Sequence, residues 1–233
     1  MNKIILWDFD GTLGYREGNW EEVILELTEE KIIRTKESFD LVSKMLQEGF
    51  PWHEPQKSFI EITDSLDWWD YVNPRFIQIF TALGCDRDES EAKAAQVREH
   101  YFKLDKWKLY HDAIPSLALL KKNNWFSVLV TNNIPEFPLI LKYLNLETFF
   151  DSVFVSALIG FNKPNPLILN GYLEAYRNHS KIIVVGDRAE SDLEFAKALH
   201  VDGLLVHSTE KSQFRYFDNL TDLTKYLLSL NIE

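Results

Sequence analysis

The chain has 233 residues, 45% of them hydrophobic, with 7 Trp, 16 Phe and 9 Tyr, which is material for a large packed core and excludes a disordered chain. A formal net charge of −11 argues against a nucleic-acid partner and would slow an anionic substrate unless a cation offset it. A single cysteine, no apolar run of about twenty residues and a core-like first strand instead of a signal peptide predict a cytoplasmic protein with no internal disulfide and no membrane partner.

Residues 3–9, KIILWDF, form an apolar run bounded by Gly11 and predict a strand buried on both faces. From about Trp20 to Leu104 apolar residues recur at spacings of three and four. EEVILELTEEKIIRT, SFDLVSKMLQEG, NPRFIQIFTALG and ESEAKAAQVREHYFKL each read as helix, with Gly49 and Gly84 as helix stops. After Pro115, helix-like SLALLKK leads into the β-rich run WFSVLVTNN, and PEFPLILKYLNL reads as a helix with proline early in it. DSVFVS predicts a strand and NPLILNGYLEAYRN a helix. KIIVVGD is another apolar strand, followed by the helix ESDLEFAKALH, the strand GLLV and the closing helix NLTDLTKYLLSL.

Strands alternating with helices imply parallel βαβ units, hence an α/β fold with a doubly wound parallel sheet. In such sheets ligands bind beyond the carboxyl ends of the strands. DFDGT, TNN and GDRAESD each follow a strand, so three polar motifs distant in sequence meet at one edge. The helical block that follows the first strand would stand over that edge as a lid.

Asp8 has two readings: an aspartate that ends a strand and starts a turn, or a carboxylate nucleophile that attacks phosphorus. On the second reading Asp10 is the acid/base, two residues along an extended chain and so on the same side. Gly11 would allow the tight turn and a close approach of phosphate to the backbone. Thr131 and Asn132 are helix-capping types that also offer donors to a phosphoryl oxygen. Lys163 is either a solvated surface lysine or, stiffened by Pro164 and Pro166, a fixed positive charge for Asp8 and a phosphoryl group. Asp8, the main-chain carbonyl of Asp10, and Asp187, with Asp192 in support, form a hard-oxygen set suited to Mg²⁺, which with Lys163 would keep the acids ionised.

DFDGTL, TNN, KPNP and GDRAESD, in this order and spacing, resemble the four motifs of the haloacid dehalogenase-like hydrolase superfamily. The resemblance covers about residues 1–14 and 108–233. It implies a Rossmann-like core over those residues and a helical cap of the C1 type over 15–107. It also implies that Asp8 is the nucleophile, Asp10 the acid/base, Thr131 and Lys163 phosphate ligands and Asp187 a metal ligand. The dehalogenases of that superfamily lack the second acid, so Asp10 turns the expectation toward phosphoryl chemistry. GYREGNW after the first motif, and Phe195 where glycine is frequent, depart from the common pattern without touching a catalytic position.

The expectation is a Mg²⁺-dependent phosphatase acting on a small phosphorylated metabolite through an aspartyl-phosphate. A phosphomutase of the β-phosphoglucomutase type and a catalytically idle binding protein are the alternatives, and oligomeric state is open. In the cap, Trp20, Trp52, Trp68, Trp69 and Tyr71 read as packing, and Arg16, His53 and Arg75 as structural or distal contacts.

Overall fold

The run KIILW becomes the central strand. In the computed structural model, which describes residues 2–28, 34–176, 180–208 and 214–230, β1 (Asn2–Trp7) has a neighbour on each side. It pairs in parallel with β4 (Trp125–Thr131) and with β6 (Ser180–Gly186). β5 (Ser152–Val155) lies outside β4, and β7 (Asp202–Val206) and β8 (Tyr216–Phe217) lie outside β6. The six parallel strands run in the order β5-β4-β1-β6-β7-β8.

Strand periodicity explains why the central run is apolar throughout. Ile5 and Trp7 join Leu129 and Val185 on one face, beneath α5 (Ala113–Lys122) and α9 (Leu220–Ser229). Ile4 and Leu6 join Val128, Val130 and Val184 on the other, against Phe195 and Leu199 of α8 (Glu194–Leu199). All four β1 side chains are at most 1% exposed, and each stabilises the fold by about 1.5–3 kcal/mol. Two short helices, α6 (Phe137–Tyr143) and α7 (Ser156–Ile159), follow β4 and β5. The chain reaches β4 on one side of β1 and β6 on the other, so the crevice of this sheet opens at the carboxyl end of β1.

Between β2 (Gly14–Arg16) and β3 (Trp107–Leu109) the chain forms α1 (Trp20–Glu26), α2 (Lys36–Met45), α3 (Ser65–Ala82) and α4 (Arg87–Phe102). β2 and β3 are antiparallel, with Gly14 opposite Leu109 and Arg16 opposite Trp107, so the helical block leaves and rejoins the sheet through one two-stranded link. Asn19, Thr35, Asp64 and Asp86 each cap one of these helices by accepting a first-turn amide, a contribution of about 1 kcal/mol apiece.

Several elements differ from expectation. α1 stops at Glu26 because Thr28 takes the Leu25 carbonyl with both its amide (3.1 Å) and its hydroxyl (2.8 Å). Residues 29–33 of that expected helix lie outside the described residues. Gly84 follows α3 with φ 98°, as a stop should, but Gly49 lies beyond the α2 cap residue Leu46. A Cβ at Gly49 would sit 2.7 Å from Arg75 Cγ, so that glycine makes room for a side chain. The helix expected over NPLILNGYLEAYRN is two 3₁₀ turns, Pro166–Leu169 and Tyr172–Ala175, broken by left-handed Asn170 (φ 45°) and Gly171 (φ 75°); its residues 177 and 178 lie outside the described residues. ESDLEFAKALH begins as a π-helical turn, Ala189–Leu193, before α8. No described helix is long and apolar enough to cross a membrane.

Candidate active site

The turn after β1 is built on one carbonyl. Phe9 O accepts from the amides of Thr12 (3.1 Å), Leu13 (2.9 Å) and Gly14 (3.1 Å), and Asp8 N still donates to Val185 O of β6 (2.9 Å). Asp8 therefore keeps strand geometry while the chain curls directly after it. Gly11 takes φ 76°, and a Cβ there would lie 2.2 Å from Asp187 Oδ2. Its glycine thus serves the turn and the approach of Asp187. Gly11 N donates to Gly14 O at 2.9 Å, which closes the turn.

Lys163 is 3% exposed, and its Nζ donates at 2.6 Å to both Asp8 Oδ1 and Asp192 Oδ1. Its main chain is gripped by one side chain: Lys163 N donates to Asn132 Oδ1 (2.8 Å), and Asn132 Nδ2 donates to Lys163 O (3.1 Å). Both ends of the Asn132 side-chain amide therefore hold the lysine loop. Asp192, from the π-helical turn, is wholly buried and accepts from Arg188 N at 3.1 Å through Oδ2. A Cβ at Gly186 would lie 2.1 Å from that carboxylate, so the end of β6 must be glycine.

Asp10 is reached by the neighbour of Asn132. Asn133 Nδ2 donates to Asp10 Oδ2 at 2.6 Å and lies 3.5 Å from Thr131 Oγ1. Thr131, wholly buried at the end of β4, donates its hydroxyl proton to no described residue. Thr12, also wholly buried, donates to Asp8 Oδ2 at 3.4 Å. Sequence reasoning missed Thr12 and Asn133, although both stand inside motifs it used. Asp8, Asp10, Thr131, Lys163, Asp187 and Asp192 meet in one cluster, with Asn132 behind the lysine.

Four carboxylates here face one ammonium, and the titration of the site follows. Burial and the adjacent Asp8 and Asp187 push Asp10 up to about 8, toward its protonated form. Burial raises Asp8 to about 6 despite the pull of Lys163, and burial with Asp8 and Asp192 raises Asp187 to about 7. Burial alone would lower the Lys163 ammonium, but Asp192 and Asp8 overcome it and hold it above the ordinary lysine range. Asp8, Asp187 and Asp192 each offer an oxygen within 4.8 Å of the others. That surplus of hard, closely set anionic oxygens fits a divalent cation of the Mg²⁺ kind.

The helical block touches this edge at two places. Glu136, just after the TNN turn, is 8% exposed and accepts from Ser65 Oγ (2.8 Å), Trp69 Nε1 (3.1 Å) and Arg98 Nε (2.9 Å). Near Lys163, Phe59 N donates to Gly160 O (2.8 Å) and Asn165 Nδ2 to Pro55 O (3.1 Å). Arg16 is structural, its guanidinium donating to the carbonyls of Tyr101 and His100 at 2.8 Å each. Arg75 likewise binds Met45 O (2.7 Å) and Glu48 (2.7 Å), and His53 Nδ1 accepts from Phe50 N at 3.4 Å. The tryptophans of the helical block pack mostly on one another and on Phe50 and Phe76.

A doubly wound sheet with an acid–lysine cluster beyond its central strand defines the class: an α/β protein whose candidate site lies at the carboxyl end of the sheet. The haloacid dehalogenase-like hydrolase family matches residues 2–200, and the chain belongs to that family of hydrolases. It is 27% identical to a glyceraldehyde 3-phosphate phosphatase of Methanopyrus kandleri over 203 residues, 84% of this chain and 80% of that one. A protein of the same description from Pyrococcus furiosus is 36% identical over 85 residues, 35% of each chain. Among solved structures, the magnesium-bound HAD-hydrolase YfnB of Bacillus subtilis superposes with TM-score 0.67 at 22% identity, covering 97% of this chain and 99% of that one. A β-phosphoglucomutase-like protein of Thermotoga maritima superposes with TM-score 0.70 at 18% identity, covering 98% and 99%. These two likenesses concern the fold alone.

Proposed function

We propose that this enzyme is a Mg²⁺-dependent phosphatase that hydrolyses a small phosphomonoester through an aspartyl-phosphate on Asp8, with residues 15–107 as its cap. The carrying observation is the pairing of two differently held acids: Asp8 bound at 2.6 Å by the Lys163 ammonium, and Asp10 bound at 2.6 Å only by the neutral Asn133 amide, where burial and the neighbouring acids favour its protonated form. Asp8 attacks phosphorus and the bond from phosphorus to the ester oxygen breaks. Asp10 gives its proton to that leaving oxygen. As a carboxylate, Asp10 then takes a proton from water, the hydroxide attacks phosphorus, and the bond to Asp8 breaks to release phosphate. Lys163 balances Asp8 and the transferring group, while Thr131, with its uncommitted hydroxyl proton, donates to a phosphoryl oxygen. Asn133 aims Asp10, and Asn132 and Asp192 aim Lys163. When bound, Mg²⁺ held by Asp8, Asp187 and the Asp10 main-chain carbonyl, with Asp192 beside it, supplies charge neutralisation to the phosphoryl oxygens.

The substrate proposed is a triose-sized phosphorylated metabolite, supported by the 27% identity to a glyceraldehyde 3-phosphate phosphatase across 84% of the chain. The test is phosphate release from a panel of phosphomonoesters in Mg²⁺. Activity should vanish in EDTA and in Asp8→Asn. Turnover retained by Asp8→Asn would remove Asp8 from the nucleophile's role.

A further inference from the structure

The loop that carries Lys163 is held from two sides, by different parts of the chain. From the sheet side, Asn132 grips the lysine main chain, and Asp8 and Asp192 take its ammonium. From the helical block, the segment between α2 and α3 reaches both ends of the loop. Phe59 N donates to Gly160 O at 2.8 Å, and Asn165 Nδ2 donates to Pro55 O at 3.1 Å. Lys163 lies between those two ties.

Both ties are close and firmly anchored. Gly160 follows α7 with φ 81°, and a Cβ there would lie 2.6 Å from both N and Cα of Ile60. Only glycine lets the main chain of the block come this near. Phe59 is 5% exposed and meets Tyr71 of α3 edge-on at 5.5 Å, so its segment moves with the helices. Asn165 uses its other end locally: Oδ1 accepts from Leu167 N at 3.0 Å and caps the turn Pro166–Leu169. The loop does little to hold itself. Asn165 N donates to Asn162 O at 2.8 Å, but the Asn162 side chain, 1% exposed, hydrogen-bonds no described residue through either end. A buried amide left unpaired works against the conformation that buries it, so the hold comes from outside the loop.

We infer that Asn165 is a positioning residue: with Gly160 it couples the seating of the helical block to the placement of the Lys163 ammonium at Asp8. The inference rests on the phosphatase reading of the site. With the block seated, its main chain fixes both ends of the loop, and the ammonium stands 2.6 Å from Asp8 Oδ1. With the block lifted, the two ties open, and the loop is free to turn Asn162 toward water and draw the lysine away. The positive charge that phosphoryl transfer needs is then in place only while the crevice is covered. The contact at Glu136 does a different job, because the side-chain bonds of that residue run only to Ser65, Trp69 and Arg98 of the block.

The experiment pairs steady-state kinetics with amide exchange, both on the full chain in Mg²⁺, for wild type, Asn165→Ser and Gly160→Ala. Serine keeps an oxygen that caps Leu167 N but is too short to reach Pro55 O. The alanine Cβ drives Ile60 from the other end of the loop. In both variants kcat for glycerol 1-phosphate and for ethyl phosphate should fall about tenfold. KM should change less than about twofold, because Thr131 and Mg²⁺ still hold the phosphate. Exchange should quicken at the amides of Lys163 and Asn165 and not in β1 or β4, which also shows that the samples are folded. A rise in KM at unchanged kcat, unchanged kinetics, or faster exchange across the whole sheet overturns the inference and leaves the phosphatase reading standing. Wild-type protein inert on every ester removes that reading; exchange needs no substrate, so the coupling of block to loop then stands or falls on exchange alone.

Discussion

Two buried ionic centres lie on the same edge of the sheet and are built on opposite principles. Around Lys163 one ammonium meets Asp8 and Asp192 at 2.6 Å each, with Asp10 and Asp187 crowding the same space. Around Glu136 one carboxylate meets one guanidinium and two neutral donors, Ser65 and Trp69. The first centre carries more acid than base and stores the mismatch as raised carboxyl pKa values, which a cation would relieve. The second is complete as it stands. A buried carboxylate with its hydrogen bonds filled has nothing to offer a ligand, so its effect is mechanical: it ties α3 and α4 to the residue that begins α6. The proposed chemistry needs the unfinished centre, and the tie between helical block and core needs the finished one.

The strongest way to break this contrast is to remove the lysine. Lys163→Ala leaves Asp8 and Asp192 buried and facing each other without a counter-charge. Stability should fall by roughly 3 kcal/mol at neutral pH, and phosphatase activity should be lost. Urea denaturation with and without Mg²⁺ reads both halves of the argument. Added Mg²⁺ should return part of the lost stability, because a cation replaces the missing charge. A variant as stable as wild type in the absence of Mg²⁺ would show that the acids do not repel as their positions require.

A smaller effect separates the finished centre from the chemistry. Arg98→Ala strips Glu136 of its charged partner but leaves Ser65 and Trp69 donating, so the expected cost is about 1–2 kcal/mol. Because Arg98 is partly exposed at 39%, screening keeps the figure at the low end. Amide exchange should quicken in α3 and α4 and not in β1 or β4, and KM should rise more than kcat falls. Uniformly faster exchange in sheet and cap would mean that Glu136 supports the fold at large and is no latch.

The two centres also differ in how visible they are in the sequence. The acid site was legible because the sheet delivers it: three of the four motifs end an apolar strand, and strand ends converge. What escaped there were side-chain directions. Asn132 and Asn133 are identical in type and adjacent, and only the backbone at the end of β4 decides that one grips Lys163 and the other Asp10. The expected helix over residues 165–178 failed for a related reason. Its apolar spacing is sound, but Asn170 and Gly171 both take left-handed backbone and divide it. Glu136 gave no local signal at all, since Ser65, Trp69 and Arg98 lie 71, 67 and 38 residues away. The helical block packs by its own aromatic cluster, and aromatic spacing in the sequence does not say which ring meets which.

The smallest expected effect sits just past the carboxyl end of β7 and tests whether the acid cluster alone governs the response to pH. His207 stacks on Tyr110 at 3.9 Å; its Nδ1 faces the Asp218 carbonyl at 3.1 Å, and its Nε2 is buried without a partner. A carbonyl can only accept, so the resting proton is on Nδ1, and a second would have to enter at the sealed Nε2. Burial accordingly lowers the pKa of His207 below its ordinary 6.5; Asp112 and the Asp218 carbonyl pull it up, His111 pushes it down, and burial prevails. The unfolded chain then binds this proton more readily than the folded one. Its stabilising contribution is whole above pH 6.5 and is lost as pH falls below that value. Asp8, Asp10 and Asp187 have raised values and work in the opposite sense, so the wild-type profile mixes the two. His207→Asn isolates the histidine, because asparagine tolerates the left-handed backbone at φ 56°. Between pH 7.5 and 5.5 the denaturation midpoint of wild type should decline relative to that of the variant; parallel profiles would assign the pH response to the carboxylates alone.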